Sequence, residues 1–390
     1  MSIEKQIENV MSEVFEWRRT LHKHPELSFE EHWTSQYIED ALEKMDGIEI
    51  SRPTKTSVLG IIKGEHPGKK IGLRADIDGL PVNEEREDID FISEVPGKMH
   101  ACGHDGHTSI LLGAAKVLSQ NTDQLHGEVY LIFQHAEELI PGGAQEMVAT
   151  GLFDDLDFIY GQHLFTPIPT GKIGIKNGPI TSNSDGFELV IQGSGGHASQ
   201  PELTVDPVII GTQIINQFQT IVSRITSPLD SVVISTTNFH AGSAKNIIPD
   251  TAQLSGSVRT IDDDTRMLVK EKMEQVVKSV CDMYGATYDF NFQFGYAAVV
   301  NNDEKTDKVR QIAEEKFGDK VFEYPLAMGG EDFSAFSRLV PGTYAWIGVG
   351  NKEKDMEYPH HHPKFGIDED GFIDGVKMMV YVAMGMTQEE

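Results

Sequence analysis

Four short runs rich in β-branched and aliphatic residues, at 58–63, 70–76, 128–134 and 158–163, follow two helical stretches in the first part of the chain and have a third between the second run and the third. Runs of that length bounded by turn residues read as strands. Strands that alternate with helices predict an α/β layer, with functional residues at strand ends and in the loops that follow. The helical stretches are an opening one ending near His24-Pro25, a second at 30–45, and a third at 108–118 in which Gly113, Ala114 and Ala115 permit close packing.

From about residue 184 the order changes. A strand at 187–192, a helix at 207–225, strands at 231–239 and 251–260, a helix at 264–284 and a strand at 287–294 follow one another. That succession resembles a ferredoxin-like α+β unit. The α/β theme resumes with a helix at 307–317, and a further helix from about Asp370 closes the chain. The expected organisation is one catalytic domain in two segments, 1–183 and 296–390, interrupted by a smaller inserted domain at 184–295. A length of 390 residues favours two domains over one.

The chain carries 33 Lys and Arg against 61 Asp and Glu, a formal charge of -28. Such a surface repels phosphate backbones and anionic headgroups, so neither nucleic acid nor membrane is an expected partner. The N-terminus offers neither an apolar signal segment nor a small-residue cleavage site, and no run of about 18 apolar residues suggests a membrane span. Two cysteines far apart, Cys102 and Cys281, make a disulfide framework improbable, and a reducing cytoplasm is the expected location.

Chemistry concentrates in four places. His100-Ala101-Cys102-Gly103-His104-Asp105-Gly106-His107 holds three imidazoles and a thiol, donors suited to Zn, Mn, Co or Ni. In an extended segment Cys102 and His104 would face the same way. His100 and His107 read as supporting or packing residues. Glu137 and Glu138 follow the apolar strand at 128–134, where one carboxylate can bind a metal while the other handles protons. His163 ends the fourth strand-like run, and His360-His361-His362 precedes Pro363 near the C-terminus. Cys, His, Glu, His and His from four loops suffice for two cations sharing a bridging ligand, and amide hydrolysis is the economical inference.

The segments RRTLHKHPELSFEE (18–31), LRADIDGLP (73–81), MHACGHDGHTSILLGAA (99–115), HAEE (135–138), GGHASQP (195–201), NIIPD (246–250), MGGEDFS (328–334) and HHPKF (361–365) resemble the M20 metallopeptidase family. The likeness is to its aminoacylase/hippurate hydrolase branch. It implies a zinc-exopeptidase-like mixed-sheet catalytic domain with an inserted lid and dimerisation domain. It implies two divalent ions per subunit, with Cys102 as bridging thiolate and His104, Glu138, His163 and His361 completing the coordination. Glu137 is then the general base that takes a proton from metal-bound water and passes it to the leaving nitrogen. Asp78 becomes a carboxylate that orients a ligand, while Asp76 has no assigned role. In the lid, His197 would stabilise the oxyanion in a partner subunit's site, and Asn246 and Arg259 would hold the substrate. The glycines at 193–196 would permit close approach to substrate or a tight turn before His197.

The implied function is cleavage of N-acetyl, N-benzoyl or similar N-acyl amino acids, in a homodimer or higher homo-oligomer assembled through the lid. A dipeptidase or aminopeptidase on the same scaffold is the alternative substrate class. A cysteine-nucleophile mechanism through Cys102, or a catalytically idle binding protein, are the alternatives of other classes.

Overall fold

The computed structural model describes residues 1–388, which divide into two compact units. The first comprises Met1–Ile180, Val299–Pro325 and the described residues from Asp332 onward, and the second comprises Thr181–Ala298 and Leu326–Glu331.

The first unit is built on an eight-stranded mixed sheet. Its order is Ile48–Ser51, Val58–Lys63, His126–Gln134, His66–Asp76, Phe158–Pro169, Gly342–Gly350, Ile173–Gly174, Val321–Phe322. The central strands His126–Gln134, His66–Asp76, Phe158–Pro169 and Gly342–Gly350 run parallel. Antiparallel partners lie outside them, Val58–Lys63 on one side and Ile173–Gly174 on the other. Parallel strands need both faces covered, and these read accordingly: all but the last residue of Gly342–Gly350 are buried. The helices Ile3–Lys23, His104–Ser119 and Phe372–Thr387 pack on one another and on the sheet. Their apolar faces merge with Leu73, Leu131, Phe158 and Ile347 into one core. Local signals set the helix ends. Ser2 caps the first helix by accepting the Lys5 N–H, and Asn302 caps Asp303–Phe317 by accepting that of Lys305.

The strand Phe158–Pro169 departs from expectation, because it does not end at His163 but runs six residues further. Leu164, Thr166 and Ile168 continue the buried alternation, and the pairing with Gly342–Gly350 becomes irregular only opposite the proline-containing end. Proline lacks the N–H that a ladder needs. His163 therefore stands mid-strand, opposite Trp346.

The second unit is a four-stranded antiparallel sheet ordered Val233–Ala241, Thr251–Thr260, Asn183–Gln192, Thr287–Gln293. Phe187, Leu189 and Ile191 point to one face, where Ile210, Ile214 and Phe218 of helix Pro207–Thr220 and Val269, Met273 and Val277 of helix Asp263–Tyr284 cover them. Asp262 caps the second of these helices, and Gly285, at φ 71°, closes it. The helix expected to reach residue 225 changes to a π-turn at Ile221–Ile225. No described helix is long and apolar enough to cross a membrane.

Candidate metal centre

The carboxyl ends of the parallel strands in the first unit carry the chemistry. Asp76 ends one strand and Gln134 the next, and the two are paired in register. The His100–His107 segment is not extended. Ala101 and Cys102 form a turn, and Gly103, at φ 91°, opens the helix His104–Ser119 while its carbonyl accepts the His107 N–H at 3.1 Å. Glycine takes that left-handed conformation without the Cβ clash other residues suffer. The turn, and not the alternation of a strand, brings Cys102 and His104 together.

The ligating atoms of Cys102, His104 and His163 lie within 4.8 Å of one another, as do those of Cys102, Glu138 and His361, and those of His104, Glu137 and Glu138. Cys102 Sγ is 3.5 Å from His163 Nε2. Glu138 Oε1 is 3.3 Å from His361 Nε2 and 3.8 Å from His104 Nε2. Both His104 Nε2 and Glu138 Oε1 are buried without a hydrogen-bond partner. Buried polar atoms seldom stay unsatisfied, so atoms of this kind converging on one point suit a cation.

Surrounding groups fix which ring nitrogens face that point. Asp78 Oδ1 lies 3.1 Å from His104 Nδ1, which leaves Nε2 for the centre. His163 Nδ1 lies 2.8 Å from the Leu164 carbonyl, so its Nε2 turns toward Cys102. His107 has both nitrogens engaged, Nδ1 with Asp76 Oδ1 at 2.6 Å and Nε2 accepting the Leu164 N–H at 2.9 Å. The ligating atoms of His107, Asp76 and His104 also lie within 4.8 Å of one another. Asp76 also accepts from Arg74 Nη1 at 2.7 Å, which gives it an anchoring part that sequence left unassigned. His100 is buried beside His22, their ring centroids 6.4 Å apart.

The three consecutive histidines separate cleanly. His360 Nε2 is 3.0 Å from the Leu164 carbonyl, while His362 Nδ1 accepts the Lys364 N–H at 2.9 Å and its ring stacks on Tyr358. His361 adopts φ 67° and donates its backbone N–H to the Ala101 carbonyl at 2.8 Å, which aims its ring at Glu138.

The electrostatics favour positive charge. Burial opposes protonation of His104, yet Asp76, Asp78 and Glu138 push its pKa up to about 10. Burial, reinforced by Glu138 and Glu137, drives the Cys102 thiol well above its ordinary value, so its thiolate requires a cation beside it. Burial and the neighbouring histidines keep His163 neutral, the form that binds metals.

Two further carboxylates brace the site, and both lie in segments that resemble the M20 family. Asp332, in 328–334, accepts from Arg74 Nη2 at 2.9 Å, Gln134 Nε2 at 2.8 Å and the Ala144 N–H at 3.0 Å. Glu31, in 18–31, is fully buried and accepts the Ala136 N–H at 2.7 Å. Neither residue type nor spacing distinguishes them from surface acids before the chain is folded.

The remaining candidates lie in the second unit. His197 sits exposed in a two-residue strand paired with Ile247–Ile248, its Nδ1 2.8 Å from Ser199 Oγ. Asn246 is exposed and its carbonyl accepts the Ala198 N–H at 3.1 Å. Arg259 is half-buried with Nη1 unpartnered, and burial lowers its pKa. In the 193–196 run, a Cβ on Gly193 would come within 2.1 Å of the Val205 carbonyl and one on Gly195 within 2.5 Å of that of Ile248. Those glycines admit the protein's own backbone.

The profile of Peptidase family M20/M25/M40 matches residues 72–385. The chain belongs to the M20/M25/M40 peptidase family. It is a metal-dependent hydrolase of this amidohydrolase and peptidase class. This M20 chain is 47% identical over 302 residues to an N-acyl-L-amino acid amidohydrolase of Geobacillus stearothermophilus, covering 77% of its own length and 81% of the relative's. It is 40% identical to thermostable carboxypeptidase 1 of Saccharolobus solfataricus, over 95% of both chains. Among solved structures it matches the Bacillus subtilis YXEP protein, described as a dinuclear metal binding peptidase of the M20 family. The TM-score is 0.85, at 34% identity, covering 97% of this M20 chain and 99% of that one.

Proposed function

We propose that this chain is a dinuclear metal hydrolase that cleaves the amide bond of N-acyl amino acids. The observation that carries the reading is the convergence of Cys102, His104, Glu138, His163 and His361, two of them through buried atoms with no other partner. Cys102, within reach of both His163 and Glu138, would hold the ions together with them, and the donor set suits Zn, Mn, Co or Ni. Divalent ions held there would supply Lewis acidity.

The protein residues supply the rest. Glu137, whose carboxylate lies within 4.8 Å of a ligating atom of both His104 and Glu138, takes a proton from the attacking water and returns it to the amide nitrogen as the C–N bond breaks. Asp78 keeps His104 in one tautomer. In the second unit, Arg259 and Asn246 are the proposed substrate-binding residues, with Arg259 bringing an unpartnered N–H suited to a carboxylate, and His197 the proposed oxyanion donor.

A carboxypeptidase reading shares this chemistry, and the similarity to the Saccharolobus solfataricus enzyme favours keeping it as the second. In both reactions the leaving group is an amino acid with a free carboxylate. The deciding experiment combines metal analysis of the purified protein with turnover of N-acetyl and N-benzoyl amino acids, N-blocked dipeptides and free dipeptides. Two metals per chain with hydrolysis of the N-acyl amino acids is the expected result. Turnover confined to substrates with a free amino group would overturn the assignment.

A further inference from the structure

Four non-glycine residues among those described have positive φ, and two of them, Phe29 at 66° and Ala136 at 50°, donate their backbone N–H to one oxygen. That oxygen is Glu31 Oε1, 3.0 Å from the Phe29 nitrogen and 2.7 Å from that of Ala136. Glu31 is fully buried, and Ala136 immediately precedes Glu137 and Glu138. The same two segments are joined again nearby, because Asp78 Oδ2 accepts the Ser28 hydroxyl at 2.7 Å and the Glu138 N–H at 3.0 Å. The Phe29 ring also meets His135 edge-on, with centroids 5.5 Å apart. On its other side Ala136 is held by Gly143, whose N–H reaches the Ala136 carbonyl at 2.9 Å.

We propose that Glu31 is a positioning residue for hydrolysis, a latch that holds Ala136 in its left-handed conformation and so sets the direction of the Glu137 carboxylate. A left-handed alanine is unfavourable by itself and persists only where its surroundings over-determine it. Without the latch, Ala136 relaxes toward ordinary φ. The Cα–Cβ bonds of the next two residues then swing, carrying the base from its water and a ligand from its ion. Errors of about 1 Å in a reacting group cost on the order of a hundredfold in rate. The proposal rests on Glu137 as the base, and it requires an oxygen acceptor at position 31 rather than a charge.

The test compares Glu31→Gln, which keeps the acceptor, with Glu31→Leu, which fills the space without one, on N-acetyl amino acids at saturating Mn or Zn. Glu31→Gln should retain kcat within about threefold. Glu31→Leu should lose about thirtyfold or more in kcat with KM changed less than about threefold. Glu31→Leu/Ala136→Gly should recover much of that loss, because glycine adopts positive φ unaided. Wild-type kcat in Glu31→Leu, or equal losses in the Gln and Leu variants, would overturn the latch. Should Glu31→Leu not fold, the double variant decides. Recovered turnover supports the proposal, and its absence, or failure of the double variant to fold, overturns it. If the wild-type protein hydrolyses neither N-acyl amino acids nor peptides, the hydrolytic reading falls instead. The latch is then read from Mn or Zn affinity, expected about tenfold weaker in Glu31→Leu than in Glu31→Gln because Glu138 belongs to the same loop.

Discussion

Asp78 ties a histidine to the backbone of a glutamate: its Oδ1 lies 3.1 Å from His104 Nδ1 and its Oδ2 accepts the Glu138 N–H at 3.0 Å. One carboxylate thus orients two of the proposed metal ligands. Asp78→Ala should weaken metal binding by about ten- to a hundredfold, as loss of such a support does elsewhere. Competition with a chromogenic chelator measures this, and an unchanged affinity would remove Asp78 from the part assigned to it.

Glu137→Gln preserves shape and hydrogen-bonding capacity but cannot accept a proton from water. Metal content should stay at the wild-type value while kcat falls by about a hundredfold or more. Elemental analysis and turnover on one preparation separate the two effects, and full turnover in the variant would require another base.

The C-terminal histidines should behave differently from one another. His361 faces Glu138, His360 is engaged by the Leu164 carbonyl, and His362 stacks on Tyr358. His361→Ala should lower the metal-to-protein ratio, whereas His362→Ala should leave it intact. Equal metal loss in both variants would contradict this division.

Arg74 and Asp332 form a fully buried ion pair at 2.9 Å, and Asp332 also holds Gln134 and the Ala144 N–H. Asp332→Ala leaves a buried guanidinium short of one counter-charge, a change that destabilises by about 3–5 kcal/mol. Urea unfolding followed by circular dichroism tests the figure. A loss under about 1 kcal/mol would mean that Asp76 alone suffices for Arg74.

Acid should weaken the fold through Asp368. Burial pushes this carboxyl up, but hydrogen bonds from Lys354 Nζ at 2.7 Å, Asn351 Nδ2 at 2.7 Å, the Asp370 N–H and Thr170 outweigh it and hold the pKa below its ordinary 3.8. The folded state therefore keeps this proton off more readily than the unfolded chain does. The stabilisation is complete above 3.8 and fades as pH falls below that value. Stability curves of wild-type and Asp368→Asn proteins should converge as pH falls through 3.8 and below, and parallel curves would show that Asp368 contributes no acid sensitivity.

The sheet strands illustrate what local pattern carries. The runs at 58–63 and 251–260 coincide with observed strands, because burial on one or both faces writes itself into apolar spacing. The strand through His163 was legible only in its first half, since prolines at 167 and 169 mask a continuation that pairing with Gly342–Gly350 stabilises. Cys102 and His104 were legible as a pair, but for a different reason from the one that holds. A left-handed glycine and a helix start bring them together, and residue type alone does not reveal φ.

By itself, then, the sequence determined which donor types the chain possesses, that they belong to an α/β layer, and that the surface is strongly acidic, because composition and periodicity are local properties. The family resemblance already singled out His361, and tertiary structure alone decided how His360 and His362 are engaged instead, that His107 serves Asp76, and that Glu31 and Asp332 brace the loops. Each of those outcomes depends on where a side chain points after distant segments pack, and a directional hydrogen bond across the fold leaves no mark on the spacing of residues along it.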